Sequence, residues 1–292
     1  MTVLKAFLTA AGIVFAAKTF AWLLQLKTKN AGLVDAIWAW TLGGLALFYA
    51  AAGTAPQTLA TLLACMGGLW GLRLGLHLWV RNWNKPEDWR YAQFRKNWGT
   101  QAAASERARQ QNVRGVGGPA ASRTHCFANA VSAADLNMFW FFQFQNIFTL
   151  ALAGCAFVPV AYRADLPSVF AITLALTIYV VSVAGEYLAD AQMERFRANP
   201  MNKGRVCRDG LWRWSRHPNY FFECLHWLAY VPLALGAPYG WVSLGAPLVM
   251  AFLLMKLSGV PLLEAEMMRR KPGYADYVRS TSALIPWFSK NT

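Results

Sequence analysis

The feature that most constrains this chain is a recurrence of apolar runs about 20 residues long, with basic residues gathered in alternate gaps between them. An α-helix rises about 1.5 Å per residue, so a run of that length spans the hydrocarbon of a bilayer. Seven such segments are read: Leu4–Leu26, Leu33–Gly53, Gln57–Val80, Asn137–Tyr162, Pro167–Ala189, Tyr220–Leu235 and Trp241–Leu263. Hydrocarbon offers the backbone no hydrogen-bond partner, so spans of this kind are helices. The expectation is an all-α fold, a polytopic membrane bundle of about seven transmembrane helices in one membrane domain.

Charge placement orients the bundle. The stretches Lys27–Ala31, Arg81–Leu136, Gln192–Asn219 and the tail from Glu264 hold 23 of the 28 Lys and Arg residues. The positive-inside rule then puts those stretches and the C-terminus in the cytoplasm and the N-terminus outside. The expected location is a bacterial inner membrane. A net charge of +14 confined to loops reads as membrane orientation, not as a nucleic-acid face. Charged residues are only 14%, against about 25% for a soluble domain, and 14 Trp suit the two interfaces. Lys5 followed by Ala6–Ala17 has the look of a signal-peptide core. The apolar character resumes at Phe20–Leu24, so the segment is read as a retained span.

The chain divides into three parts: residues 1–80 with three helices, 81–136 as a cytoplasmic loop, and 137–292 with four helices and the tail. Within the loop, Thr100–Ser122 is small, polar and Gly-rich (Arg114-Gly-Val-Gly-Gly-Pro119) and reads as a flexible insertion. Five Cys without a CxxC and four His without an HxxxH make no disulfide framework and no metal site. No internal repeat of the transporter kind occurs.

Polar residues inside spans are functional candidates, because each costs about 2.5–3.5 kcal/mol to insert. Asp35 sits just inside the second helix, where a carboxylate at a helix N-terminus is an equally simple reading. Arg73 and His77 share a face of the third helix, and Gln143 and Asn146 share a face of the fourth, suited to helix–helix hydrogen bonds. Glu223, His226 and Tyr230 follow the i, i+3, i+7 spacing and suggest a polar cavity.

Two further groups lie at the cytoplasmic ends. Glu186, Asp190 and Arg197 recur at helical spacing, followed by Lys203, Arg205, Arg208, Arg213 and Arg216, with His217-Pro-Asn-Tyr220 opening a helix. Pro218 suits the first turn, and a helix N-terminus flanked by Arg suits phosphate. The positive-inside rule explains the Arg but not Asp190, His217, Asn219 and Tyr220 among them. An anionic cofactor explains the mixture. In the tail, Glu264, Glu266, Arg269, Arg270, Lys271, Tyr274, Asp276 and Tyr277 follow the last span, and the apolar Ala283–Phe288 is expected to rest on the membrane surface.

The string Gly210-Leu-Trp-Arg-Trp-Ser-Arg-His-Pro-Asn-Tyr-Phe-Phe-Glu223 resembles a signature of the steroid 5-alpha-reductase superfamily, specifically its bacterial relatives of unassigned function. So do Leu263-Glu-Ala-Glu-Met-Met-Arg-Arg-Lys-Pro-Gly-Tyr-Ala-Asp-Tyr277 and Ser282-Ala-Leu-Ile-Pro286. The resemblance is specific over Glu186–Phe288. In the first half it rests on Asp35-Ala-Ile-Trp38 and Glu87-Asp-Trp-Arg-Tyr91, and a more distant similarity extends to sterol C14-reductases. It implies a seven-helix fold holding NADPH on the cytoplasmic side, and hydride transfer to an activated C=C bond of a lipid-soluble substrate, steroid-, fatty- or isoprenoid-like.

By that resemblance Asp190, Arg197, Arg205, Asn219, Tyr220 and Tyr277 contact the cofactor, with Arg197 or Arg205 on the 2′-phosphate. Glu223 orients a neighbouring side chain or the nicotinamide amide. Arg216, His217 and Tyr274 join them as cofactor-binding candidates. The steroid enzymes hold the ketone with a Glu on the second helix and a Tyr on the third. Here Asp35 is the nearest acid, Trp70 stands at the third-helix position, and Tyr91 in the loop is the substitute. Asp35, Tyr91 and His226 are therefore the catalytic candidates. Membrane methyltransferases of isoprenylated cysteine share a similar Arg-His-Pro-x-Tyr motif (Arg216–Tyr220), so S-adenosylmethionine is the competing cofactor. It carries no phosphate, and the Arg count favours NADPH. A non-enzymatic lipid-binding protein is the third reading.

Overall fold

The computed structural model describes residues 1–115, 131–257 and 259–288. The described residues are predominantly helical and form no strand. They fall into two compact units: unit 1 comprises Met1–Leu8, Gly43–Trp70 and Leu150–Thr292, and unit 2 comprises Thr9–Leu42 and Gly71–Thr149. Six helices among the described residues are long and apolar enough to cross a membrane, so this is an integral membrane protein.

The first three spans form as their sequences demand: α1 Val3–Thr28, α2 Leu33–Ala52 and α3 Gln57–Asn82. In unit 2, Lys29 ends α1 in the left-handed region (φ 55°), and the Asn30 amide then donates to the carbonyls of Asn82 and Lys85 at 2.9 and 3.1 Å. That fixes the polar end of α3 beside the α1–α2 turn. In unit 1 the turn after α2 is closed by Thr54 and Ala55, whose N–H groups both donate to Ala161 C=O at 2.9 Å.

The stretch read as a loop contains a long helix, α4 Trp89–Gly115. Its apolar positions Tyr91, Phe94 and Trp98 pack against Phe141 and Phe142 of α5 (Ala133–Ala156), which is why the segment is ordered as a helix. The expected insertion Thr100–Ser122 is thus helical as far as Gly115. Its remainder, 116–122, lies outside the described residues.

Prolines redraw the second half. Pro159 divides the fourth apolar run into α5 and the short α6 (Val158–Ala161). The fifth run forms α7 (Val169–Ala198), capped by the Ser168 hydroxyl, which accepts from Ala171 N–H at 3.2 Å. The sixth, Tyr220–Leu235, is not one helix. It breaks into α8 (Pro218–Leu228) and α9 (Val231–Ala234). Pro232 cannot donate to the carbonyl four residues back, and Gly236 then turns with φ 91°. The last run is composite. A 3-10 turn at Gly240–Leu244 leads into α10 (Gly245–Phe252), a π-helical turn at Leu253–Leu257 and α11 (Val260–Arg270). The π turn precedes Pro261, a residue that interrupts the regular ladder. Lys256 lies exposed on that turn. A final helix, α12, covers Tyr274–Ser280 after Gly273 at φ 80°.

Unit 1 is organised around the packing of α7 on α8. Close approach there requires Gly185, because a Cβ at that position runs into the Phe222 ring. Gly185→Val is therefore expected to lower the melting temperature in detergent, at a cost of about 1–3 kcal/mol from overpacking. An unchanged melting curve would show that α7 and α8 do not pack this closely.

Candidate active site

In unit 2, Asp35 on the first turn of α2 and Tyr91 on the first turn of α4 meet. The Tyr91 hydroxyl donates to Asp35 Oδ1 at 2.7 Å, and Arg90 Nη2 donates to Oδ2 at 3.0 Å. Asp88 positions both α4 residues. It stands just before the helix and accepts from Arg90 N–H and Nε at 3.0 Å each. Tyr91 is buried among Ala21, Ala31, Val34, Ile37, Met138 and Phe142. Burial, and then the Asp35 charge, push its phenol well above the ordinary tyrosine range. Burial works against the charge of Arg90, but the carboxylates of Asp35 and Asp88 outweigh it and hold the guanidinium ionised. The result is a buried phenol sharing a hydrogen bond with a half-buried carboxylate.

Lys18 of α1 belongs to the same unit. Its side chain is fully buried, its ammonium donates to Gln145 Oε1 at 2.7 Å, and it interacts electrostatically with Asp35. A second charged knot joins Arg95 to Glu87 at 3.0 Å and Asp135 at 2.6 Å. The Asn146 amide donates to Gln143 within α5 at 2.7 Å, and Gln143 reaches Thr19 of α1 at 3.3 Å.

Unit 1 gathers most of the cofactor candidates. Arg216 is buried, with Nε donating to Glu264 Oε1 at 2.7 Å and Nη1 donating to Val278 C=O at 3.0 Å and to Thr281 C=O. His217 Nε2 meets the same Glu264 oxygen at 3.1 Å, and its ring stacks on Tyr220 with centroids 5.2 Å apart. Asn219 Nδ2 donates to Asp190 Oδ1 at 3.3 Å. Tyr277 donates its hydroxyl to Trp212 C=O at 2.5 Å and Ser215 C=O at 3.2 Å. Tyr274 stands 5.8 Å from Tyr277, ring to ring, and burial raises both phenols first, with neighbouring charge second. Arg216, His217 and Tyr277 are thus engaged with the chain itself. They hold the tail to the start of α8.

A different set is turned outward. Arg197, Arg205 and Arg208 are exposed, and Arg208 lies 5.3 Å over the Tyr277 ring. Lys271 Nζ donates to the Arg205 carbonyl at 2.7 Å. Its ammonium is destabilised by burial and then by the charge of Arg197, so it gives up its proton more readily than an ordinary lysine. Converging cations of this kind suit an anion with several oxygens.

Deeper in unit 1, Glu223 accepts from the indole N–H groups of Trp227 at 3.0 Å and Trp70 at 3.1 Å. His226 stacks on Trp70 at 4.7 Å with 10° between the planes, and its Nε2 lies 3.3 Å from the Tyr230 hydroxyl. His226 therefore belongs to an aromatic cage in unit 1, whereas Asp35 and Tyr91 belong to unit 2. Three participants were not among the sequence candidates. Glu264 was visible in the tail, but nothing in the sequence joins it to Arg216, 48 residues earlier. Trp70 stands in the sequence only at the third-helix position of a tyrosine, and nothing in the sequence directs Lys18 at Gln145.

The Arg216 contacts generate a test. Arg216→Met leaves the carbonyls of Val278 and Thr281 and the Glu264 carboxylate without their donor, at a cost of about 3–5 kcal/mol. Limited proteolysis of the variant should then cleave within residues 271–288 where the parent protein resists. Equal resistance would show that the tail is held by other contacts.

No curated protein and no solved structure matches the chain. One family model matches it over residues 21–113 and 113–281. The chain belongs to the DUF1295 family of proteins of unknown function, a family of the steroid 5-alpha-reductase-like kind.

Proposed function

We propose that the protein is an NADPH-dependent reductase of an activated C=C bond in a lipid-soluble substrate. The observation that carries this reading is the partly buried contact between Asp35 and Tyr91. A phenol and a carboxylate in an apolar setting can hydrogen-bond a conjugated carbonyl and stabilise the negative charge that develops on its oxygen. Arg90 keeps Asp35 anchored, so Tyr91 is presented in one geometry. The reading also draws on family membership and on the fully described helices that make the protein integral to a membrane, where such substrates partition.

The outward cations of unit 1 fit a phosphorylated nucleotide. Arg197, Arg205 and Lys271 would hold its phosphate oxygens, and Asn219, Asp190 and Tyr220 offer polar groups beside them. NADPH, when bound, supplies the hydride. The chain's own part is to bind the phosphates, hold the carbonyl and provide a proton from the Asp35–Tyr91 pair. S-adenosylmethionine carries one carboxylate and no phosphate, so it offers the cations around Lys271 far less negative charge than NADPH does.

Calorimetric titration of the detergent-purified protein with NADPH, NADH and S-adenosylmethionine tests the cofactor. NADPH should bind most tightly, and Arg205→Ala should weaken it about 10–100-fold, the loss of one charge-assisted phosphate contact. Because the Lys271 ammonium is destabilised, it should lose its proton at a lower pH than an ordinary lysine does. NADPH affinity should fall over that range, and Lys271→Arg should flatten the dependence. Binding of S-adenosylmethionine with no response to NADPH would sink the reductase reading.

The carbonyl side is tested by following NADPH oxidation against a panel of lipid enones. Tyr91→Phe should lower kcat about 10²–10⁴-fold while leaving nucleotide affinity unchanged. A variant as active as the parent would remove Tyr91 from the chemistry.

A further inference from the structure

The apolar string Ala283–Phe288 has no part in the nucleotide or carbonyl chemistry, yet it is built with care. Ile285, Trp287 and Phe288 are 63%, 65% and 72% exposed, beside Trp214 at 36%. Exposed large apolar groups that cluster mark an interaction surface. These are not loose ends. Ser215 and Ser282 form a parallel bridge, Arg216 N–H donates to Ser282 C=O at 2.8 Å, and Trp287 N–H donates to Trp214 C=O at 3.0 Å. The Ser215 hydroxyl donates to Leu284 C=O at 2.8 Å. The rings of Trp214 and Phe288 meet edge to face at 5.3 Å, and the Arg213 guanidinium lies 5.8 Å over Trp214.

The depth of this patch can be read from α7. The Trp212 indole donates to Ala189 C=O at 2.9 Å, which ties the Trp212–Trp214 turn to that level of the helix. Ala189 follows the first residue of α7, Val169, by 20 residues, or about 30 Å of rise. That is about the thickness of the hydrocarbon core. The aromatic patch is therefore pinned close to where α7 leaves the hydrocarbon. Trp and Arg are the residues whose ring and charge suit that boundary, with rings in the acyl edge and guanidinium among the headgroups.

We propose that residues 283–288, together with Arg213 and Trp214, form an interfacial hook seated in the headgroup–acyl boundary of the bilayer around α7, and that the hook clamps α12 over the Arg216–His217–Glu264 cluster. The clamp follows from connectivity. Residues 282–288 are fixed to the Trp214–Arg216 turn at one end of α12, and Gly273 leads from α11 at the other. Arg216 and Tyr277 fasten what lies between. The surrounding lipid closes the exposed side of the hook, so the order of α12 depends on the bilayer.

Two measurements on full-length protein in phosphatidylcholine–phosphatidylglycerol nanodiscs test this. In a background with the native cysteines replaced, a nitroxide is placed at Phe288→Cys, with Lys203→Cys, exposed in the same unit, as reference. At 288, collisions with oxygen should exceed those with a water-soluble nickel chelate, and at 203 the order should reverse. Chelate access at 288 equal to that at 203 overturns the hook. Shielding of 288 from both reagents means that protein covers the patch, and also overturns it. Second, the W287S/F288S double variant should raise amide hydrogen exchange in residues 274–282 about tenfold, with α7 unchanged as the sign of an intact fold. Unchanged exchange in 274–282 removes the clamp. Neither readout uses nucleotide or substrate, so failure here is separate from failure of the reductase reading.

Discussion

A charge taken out of water must be met by the protein itself, and this chain is arranged around meeting such charges. In hydrocarbon no solvent completes an ion's shell, and a lone buried ion costs several kcal/mol. The buried guanidinium of Arg163 spreads over Leu233, Leu235 and Asp165, closing the turn after α9. Arg216 does the same for Glu264 and the carbonyls of α12. Asp35 collects Arg90 and Tyr91, and Lys18 collects Gln145. Each pairing joins elements far apart in sequence. The polar residues that look expensive along the chain are thus the ties that fix tertiary structure.

Proline acts alongside this constraint. The α7 run carries no proline between Val169 and Ala198 and forms one 30-residue helix. Pro159, Pro232 and Pro261 each coincide with a break or a π turn. The short helices between these breaks leave carbonyls at their C-terminal ends, and unit 1 supplies donors: Arg163 for Leu233 and Leu235, and Thr54 and Ala55 for Ala161. Broken helices in unit 1 are therefore stable because neighbours complete them.

These two effects explain what could be read from the sequence. The apolar runs and their helical state were legible, since length and hydropathy decide them locally. The break in Tyr220–Leu235 was not, because length and hydropathy do not say whether Pro232 kinks one helix or ends it. Nor was α4 legible. Its stability comes from Tyr91, Phe94 and Trp98 packing on α5, a contact that no local pattern announces. At the candidate sites, the residue types were visible but their company was not. Asp35 looked like a capping carboxylate and Tyr91 like a loop residue until their 2.7 Å contact joined them. His226 stood on a plausible stripe with Glu223. Its ring instead stacks on Trp70, a residue whose indole the sequence could not direct at Glu223.

Basic residues of unit 1 differ in how deeply the fold has drawn them in. The positive-inside rule collects Arg and Lys without saying what each does. Burial does say. Arg216 has been desolvated, and its donors face a carboxylate and two carbonyls, so a phosphate could recruit it only by releasing the tail. Arg197 and Arg205 are exposed, and Lys271 is held against the Arg205 carbonyl near the charge of Arg197. Lys271 lies near enough to Arg197 for their charges to repel, and an incoming anion would relieve that repulsion. Arg216, within the Arg-His-Pro-x-Tyr string, is thus a strut, whereas Arg197 at the end of α7, Arg205 in the loop after it and Lys271 after α11 remain at the surface or only partly covered.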